Sequence, residues 1–174
     1  MQMDFVELTD PQKKELIRKA YDLGYEYEQK YGNCPQCTIA AIQDVFGIVD
    51  DIVFKASHGL AGGVGLSSKG TCGAVSGGVM VISALRGRDR PDFHSGRSRK
   101  CYDLSRHLSE KLESKYGGIL CCQIQKTIMG KSFNLSNRDE FKAFEEAGGH
   151  RDKCPEVVGT VVSYIAEMIV AGEI

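Results

Sequence analysis

The sequence predicts an all-α fold: one compact domain over residues 1–174, a bundle of six or seven helices with a glycine-rich loop beside a cysteine cluster. Three observations carry that expectation. Apolar residues recur at helical spacing in successive stretches. Those stretches open on capping residues and close on glycine, the asymmetry of helix ends. No stretch reads as a convincing strand, and no internal repeat is present. A chain of 174 residues also lies within the roughly 100–200 residues of a single domain, long enough to bury a core without disulfides.

The first helix opens at Thr9-Asp10-Pro11-Gln12, a threonine followed three residues later by glutamine with proline in the first turn, and runs to Tyr31. Leu16, Ile17, Ala20, Leu23, Gly24 and Tyr27 form its apolar face, while Lys13, Lys14, Arg18, Asp22 and Glu26 lie on the others. Gly32-Asn33 breaks it, and Asn33 is the expected cap of a second helix, Cys34–Phe46, closed by Gly47. A short helix follows Asp50-Asp51 and ends near Ser57.

Residues 59–78, GLAGGVGLSSKGTCGAVSGG, are dense in glycine, so backbone there passes close to something bulky: a ligand or a packed helix. The first half, 59–70, reads as a flexible loop, and 72–87 as a buried helix with Cys72 at the junction. Gly73, Gly77 and Gly78 also have a simpler reading, close helix packing. Nucleotide binding does not fit. Ser68 stands where the dinucleotide fingerprint needs a third glycine after Gly63 and Gly65, and Lys69-Gly70-Thr71 transposes the order of a phosphate loop.

The segment 86–100, RGRDRPDFHSGRSRK, reads as a solvated basic connection, with a docking surface for an acidic partner as the alternative. An amphipathic helix over 98–116 places Tyr102, Leu104, Leu108 and Leu112 inward and ends at Gly117-Gly118. Segment 119–129 carries Cys121-Cys122, whose side chains diverge by about 100° on a helix, so one of them faces any given site. A capped helix over 137–147, a break at Gly148-Gly149 and a strongly apolar helix over 152–171 complete the chain, with Cys154-Pro155 in the last helix's first turn.

Charge and composition exclude several functions. A net charge of −1 and a pI near 6.4 provide no long-range attraction for nucleic acid or an anionic membrane. The apolar windows fall short of the roughly 18 residues of a membrane span. The opening MQMDFVELTDPQKK is acidic and polar, so no secretory leader is expected and the expected location is the cytoplasm. In that reducing compartment seven cysteines point to metal ligation or thiol chemistry rather than to a disulfide framework.

The placement of the cysteines carries the chemistry. Cys34, Cys72 and Cys154 each fall at a helix start, and Cys121 follows a Gly-Gly break. Converging helix N-termini would surround a sulfur-rich centre with amide donors, which favour thiolates and hydrogen-bond the sulfurs of an iron–sulfur cluster. Four soft ligands suit iron–sulfur or zinc. A second reading takes Cys34-Pro35-Gln36-Cys37 as a thiol–disulfide pair, Cys34 the nucleophile and Cys37 the resolving thiol, although a charged helix stands where thioredoxin-like folds have a strand. His58 and His150, beside the loop and the last cysteine, are possible extra ligands.

These residues, in this order, resemble the C_GCAxxG_C_C family of redox-active proteins. The resemblance covers Asn33-Cys34, residues 59–78, the run Tyr116-Gly117-Gly118-Ile119-Leu120-Cys121, and Cys154 with the helix after it. Thr71-Cys72-Gly73-Ala74-Val75-Ser76-Gly77 departs from the family's Gly-Cys-Ala-x-x-Gly by one residue of register. What the resemblance implies is a redox protein of mainly anaerobic microbes, with Cys34, Cys72, Cys121 and Cys154 as ligands of an iron–sulfur centre and electron transfer with a redox partner as the role. Gly62, Gly63, Gly65, Gly70 and Gly73 are the expected loop contacts of the cofactor, and Cys37, Cys101 and Cys122 are additions of this chain. The wide apolar arc of the last helix leads to the further expectation of a homodimer.

Overall fold

In a computed structural model that describes residues 5–94, 96 and 98–174, the chain folds as eight α-helices: α1 (Asp10–Tyr31), α2 (Cys34–Phe46), α3 (Asp51–Ser57), α4 (Gly73–Arg86), α5 (Arg99–Tyr116), α6 (Cys121–Met129), α7 (Arg138–Glu146) and α8 (Cys154–Val170). The count is slightly above the six or seven expected. Residues 1–4, part of the acidic opening, and Ser95 and Arg97 of the basic segment lie outside the described residues.

The starts of α1 and α7 carry the capping contacts expected of them, and that of α2 does not. Gln12 Oε1 accepts from the Thr9 amide at 2.9 Å, and Asn137 Oδ1 accepts from the amides of Asp139 and Glu140 at 3.0 and 3.1 Å. At α2, Asn33 takes a left-handed conformation (φ 65°) and makes no capping bond, its amide nitrogen instead reaching His58 Nδ1 at 3.1 Å. The chain thereby reverses within two residues between α1 and α2.

α8 is the centre of the bundle and packs against α1, α2, α4 and α5. Its residues Val157, Val158, Val161, Val162, Ile165, Ala166, Met168, Ile169 and Val170 are all buried within the single chain. The apolar arc expected to seek a second subunit is therefore already covered. The closest crossing is with α1, where a Cβ on Gly24 would lie 2.8 Å from Val162 Cγ2 and one on Gly159 would lie 2.9 Å from the Tyr21 ring. Gly77 and Gly78 serve the packing role foreseen for them, against Pro35 and against Leu108 and Val161. Among the described residues no helix is long and apolar enough to cross a membrane.

The glycine loop is a folded object rather than a flexible connection. Five consecutive residues, 62–66, have φ between 57° and 70°, and Gly65, Leu66 and Ser68 amides donate back to the carbonyls of Gly59, Ala61 and Gly62. This left-handed turn is strained at Val64 and Leu66, where each side chain costs about 1–2 kcal/mol. Beyond it the chain makes a contact that the sequence does not foretell. Thr71 and Leu120 form an antiparallel bridge, flanked by Cys72 N–H to the Ile119 carbonyl at 2.8 Å and Cys121 N–H to the Gly70 carbonyl at 2.9 Å.

Candidate metal centre

Cys34, Cys121 and Cys154 are the first residues of α2, α6 and α8, and Cys72 immediately precedes α4. Three local devices bring these four starts together. The Thr71/Leu120 bridge sets Cys72 beside Cys121. The absence of a side chain at Gly73 lets α4 press on Cys34 and Pro35, since a Cβ there would lie 2.4 Å from Cys34 Sγ. A π-helical turn, Gly149–Lys153, leads α7 into α8 and delivers Cys154 against Phe144 and its small satellite core.

All four cysteines line one cavity of about 120 Å³, whose remaining walls are chiefly apolar and include Ala74, Ile124, Leu135, Phe144 and Val157. The sequence reading grouped these four sulfurs, and the structure brings them together. Cys37, Cys101 and Cys122 lie elsewhere. Cys37 turns its Sγ–H to the Gly32 carbonyl at 2.7 Å, Cys101 sits against Ser83 Oγ at 3.6 Å, and Cys122 diverges from Cys121 as the helical angle requires.

The loop glycines take different positions. Gly62 lines the cavity, and its backbone hydrogen-bonds the Cys34 sulfur. Gly63 and Gly70 pack on each other and on Cys121, Gly73 packs on Cys34, and Gly65 faces open space. His150 lines the cavity, whereas His58 is held outside it by Asn33 and Gln36.

Two polar residues that the sequence does not single out support Cys121. Gln125 Nε2 donates to Cys121 Sγ at 3.4 Å while its Oε1 accepts from the Phe133 amide at 2.7 Å, and Ser68 hydrogen-bonds the same sulfur. Gln125 was legible only as one turn after Cys121. Glu28 is the larger omission: it is 1 % exposed, lines the cavity, and continues the buried stripe Ala20, Gly24, Glu28 at four-residue spacing.

Electrostatics reverse the expectation that helix starts lower the thiol pKa values. A hydrogen bond with Cys72, then burial, pushes the Cys34 thiol well above its ordinary range. Burial does the same to Cys154, and raises Cys121 to about 12. Desolvation of a thiolate in an apolar cavity outweighs the dipole of one helix turn. Without a compensating cation these sulfurs are neutral thiols. Neighbouring sulfurs add to the effect: Cys34 raises Cys121, and both raise Cys154.

No curated protein and no solved structure matches the chain. A family model described as "Putative redox-active protein (C_GCAxxG_C_C)" matches residues 31–168, a span that contains all four cavity cysteines, the glycine loop and the Thr71/Leu120 bridge. With that match over most of its length, the chain belongs to the C_GCAxxG_C_C family.

Proposed function

We propose that the chain is an electron-transfer module in which Cys34, Cys72, Cys121 and Cys154 hold an iron–sulfur cluster and exchange electrons with a partner redox protein. The observation that carries this reading is the convergence of four cysteines from four helix starts on one cavity. The donor set fits: four soft sulfurs suit iron–sulfur or zinc. Among the described residues no group of three or more His, Cys, Asp or Glu side chains stands in ligand geometry for a metal ion, so the four thiols have to draw together on ligation. Bound there, such a cluster supplies one-electron chemistry.

The chain's own residues then have distinct tasks. The four thiols release their protons on ligation, because a bound cation inverts the cost that burial places on a thiolate. The Gly62 amide, Gln125 and Ser68 hydrogen-bond sulfurs and so tune the potential and hold the ligands in place. The walls around the centre are chiefly apolar, which lowers the local dielectric.

The test is anaerobic purification or reconstitution, followed by iron, acid-labile sulfide and zinc analysis with a visible spectrum. Brown protein containing iron and sulfide is the expected result. Colourless protein without iron after reconstitution overturns the reading, and stoichiometric zinc converts the role to a structural one.

A second reading has one observation in its favour, the hydrogen bond between the Cys34 and Cys72 thiols. It shifts the dithiol idea from Cys34/Cys37 to Cys34/Cys72, because the Cys37 thiol is committed to the Gly32 carbonyl. In the metal-free protein, mild oxidation followed by peptide mapping distinguishes the two pairings. A Cys34–Cys72 linkage supports the second reading, and a Cys34–Cys37 linkage restores the sequence-based one.

A further inference from the structure

A carboxylate placed in an apolar cavity needs a reason, because burying a charge costs several kcal/mol unless it is paired. Glu28 sits 1 % exposed on α1, lines the cysteine cavity, and leaves its Oε2 buried with no hydrogen-bond partner. Its other oxygen, Oε1, faces His150 Nε2 at 3.8 Å. The opposite ring nitrogen, Nδ1, is 2.5 Å from Glu145 Oε1 on α7. The ring is held between these carboxylates by an edge contact with Phe144, centroids 5.2 Å apart. Side-chain exposure falls stepwise along the series, 39 % at Glu145, 27 % at His150 and 2 % at Glu28. The three groups thus make a graded path from solvent to the cavity wall.

Other titratable groups act on Glu28 from each neighbouring element. Cys37 and Cys34 of α2 and Cys154 of α8 act on it at close range, and Glu145 of α7 repels it. Burial raises its carboxyl to about 7, with His150 pulling the other way, so the acid changes charge near neutrality. A carboxyl so perturbed at a cavity wall, and left with one oxygen unpartnered, marks a candidate functional group.

We propose that Glu145, His150 and Glu28 form a proton relay that admits one proton to the cysteine-lined cavity with each electron. This rests on the reading above, that the cavity accepts electrons. A solvent proton reaches the His150 ring at the Glu145 side, and the Nε2–H proton passes to the Glu28 carboxylate, leaving neutral imidazole and a carboxylic acid. The transfer needs the Glu28 carboxyl to swing about 1 Å closer than it stands, to hydrogen-bond reach. One electron enters from a one-electron donor protein and one proton arrives on Glu28, so the net charge enclosed by the cavity is unchanged. Oxidation reverses both steps. The relay offsets the cost of adding negative charge beside several thiolates in a medium of low dielectric.

The experiment is a redox titration of anaerobically reconstituted protein, followed by its visible spectrum, at a series of pH values from 6 to 9, on wild type, Glu28→Gln and His150→Gln. Iron content and circular dichroism first establish that each variant is folded and loaded. In wild type the midpoint falls above neutral pH with the one-electron, one-proton slope, 59 mV for each tenfold change in proton concentration. Glu28→Gln flattens that slope. His150→Gln keeps the slope at equilibrium but slows reduction in rapid mixing, since the acceptor survives and its supply does not. A flat wild-type profile, or an unchanged slope in Glu28→Gln, overturns the relay while leaving the centre standing. Iron-free, colourless wild-type protein overturns both.

Discussion

Gly73 and Cys34 are packed so tightly that a methyl group on Gly73 would lie 2.4 Å from the Cys34 sulfur, and 2.6 Å from Pro35 Cδ. Because Gly73 also sits directly after Cys72, this one contact fixes the spacing of two candidate ligands. Gly73→Ala is expected to force the two helix starts apart, costing about 1–3 kcal/mol as overpacking does. Its iron binding falls more than its stability, because the loss is concentrated at the sulfurs. Thermal unfolding together with iron per chain measures both.

Substitution of the cysteines separates the site from its surroundings. Serine at Cys34, Cys72, Cys121 or Cys154 is expected to abolish most of the bound metal, whereas Cys101→Ser and Cys122→Ser retain it, since neither lines the cavity. Gln125→Leu tests the supporting layer: it leaves four thiols but removes a donor to Cys121, and roughly a 10–100-fold weaker affinity follows. Metal analysis after dialysis against a graded chelator reads these differences.

The metal-free protein has a characteristic pH dependence. The Glu28 carboxyl is raised in the fold to about 7 from 4.5, so its contribution to stability is fully present below pH 4.5. The contribution is lost progressively as pH rises and is gone above about 7, a fall of about 1.4 kcal/mol per pH unit in between. Glu28→Gln removes the slope. The raised thiols of Cys34, Cys121 and Cys154 act in the same direction at higher pH, where the unfolded chain ionises and the folded one does not. Urea unfolding at pH 5, 6, 7 and 8 in reductant checks the first, and pH 8 to 10 the second.

Val64 is half exposed with a φ of 67°, in the left-handed turn of the loop. A β-branched side chain there stores strain with little packing in return. Val64→Gly is expected to raise stability by up to about 1 kcal/mol, the relief of about 1–2 kcal/mol being partly offset by glycine's larger unfolded-state entropy. The cavity should still load metal. Lower stability in equilibrium unfolding would show that Val64 makes contacts worth more than its strain.

Local chemistry in the sequence determined most of the elements. The Thr9/Gln12 and Asn137 caps, the helix Cys34–Phe46 with Gly47 after it, and the apolar period of α8 are each set by residues within a few positions of one another. That is why they were legible. The four helix-start cysteines were legible for the same reason. Only the tertiary structure decided which sulfurs share a cavity, because that depends on long-range pairing such as Thr71 with Leu120 and Gly73 with Cys34. It also decided their protonation: the helix dipole is readable from position, but the burial that overrides it is a property of the assembled walls. Glu28 shows the same division most plainly. In the sequence it is one more charge in a charged helix, and it becomes a cavity carboxylate only because α1 packs along α8 through Gly24 and Gly159.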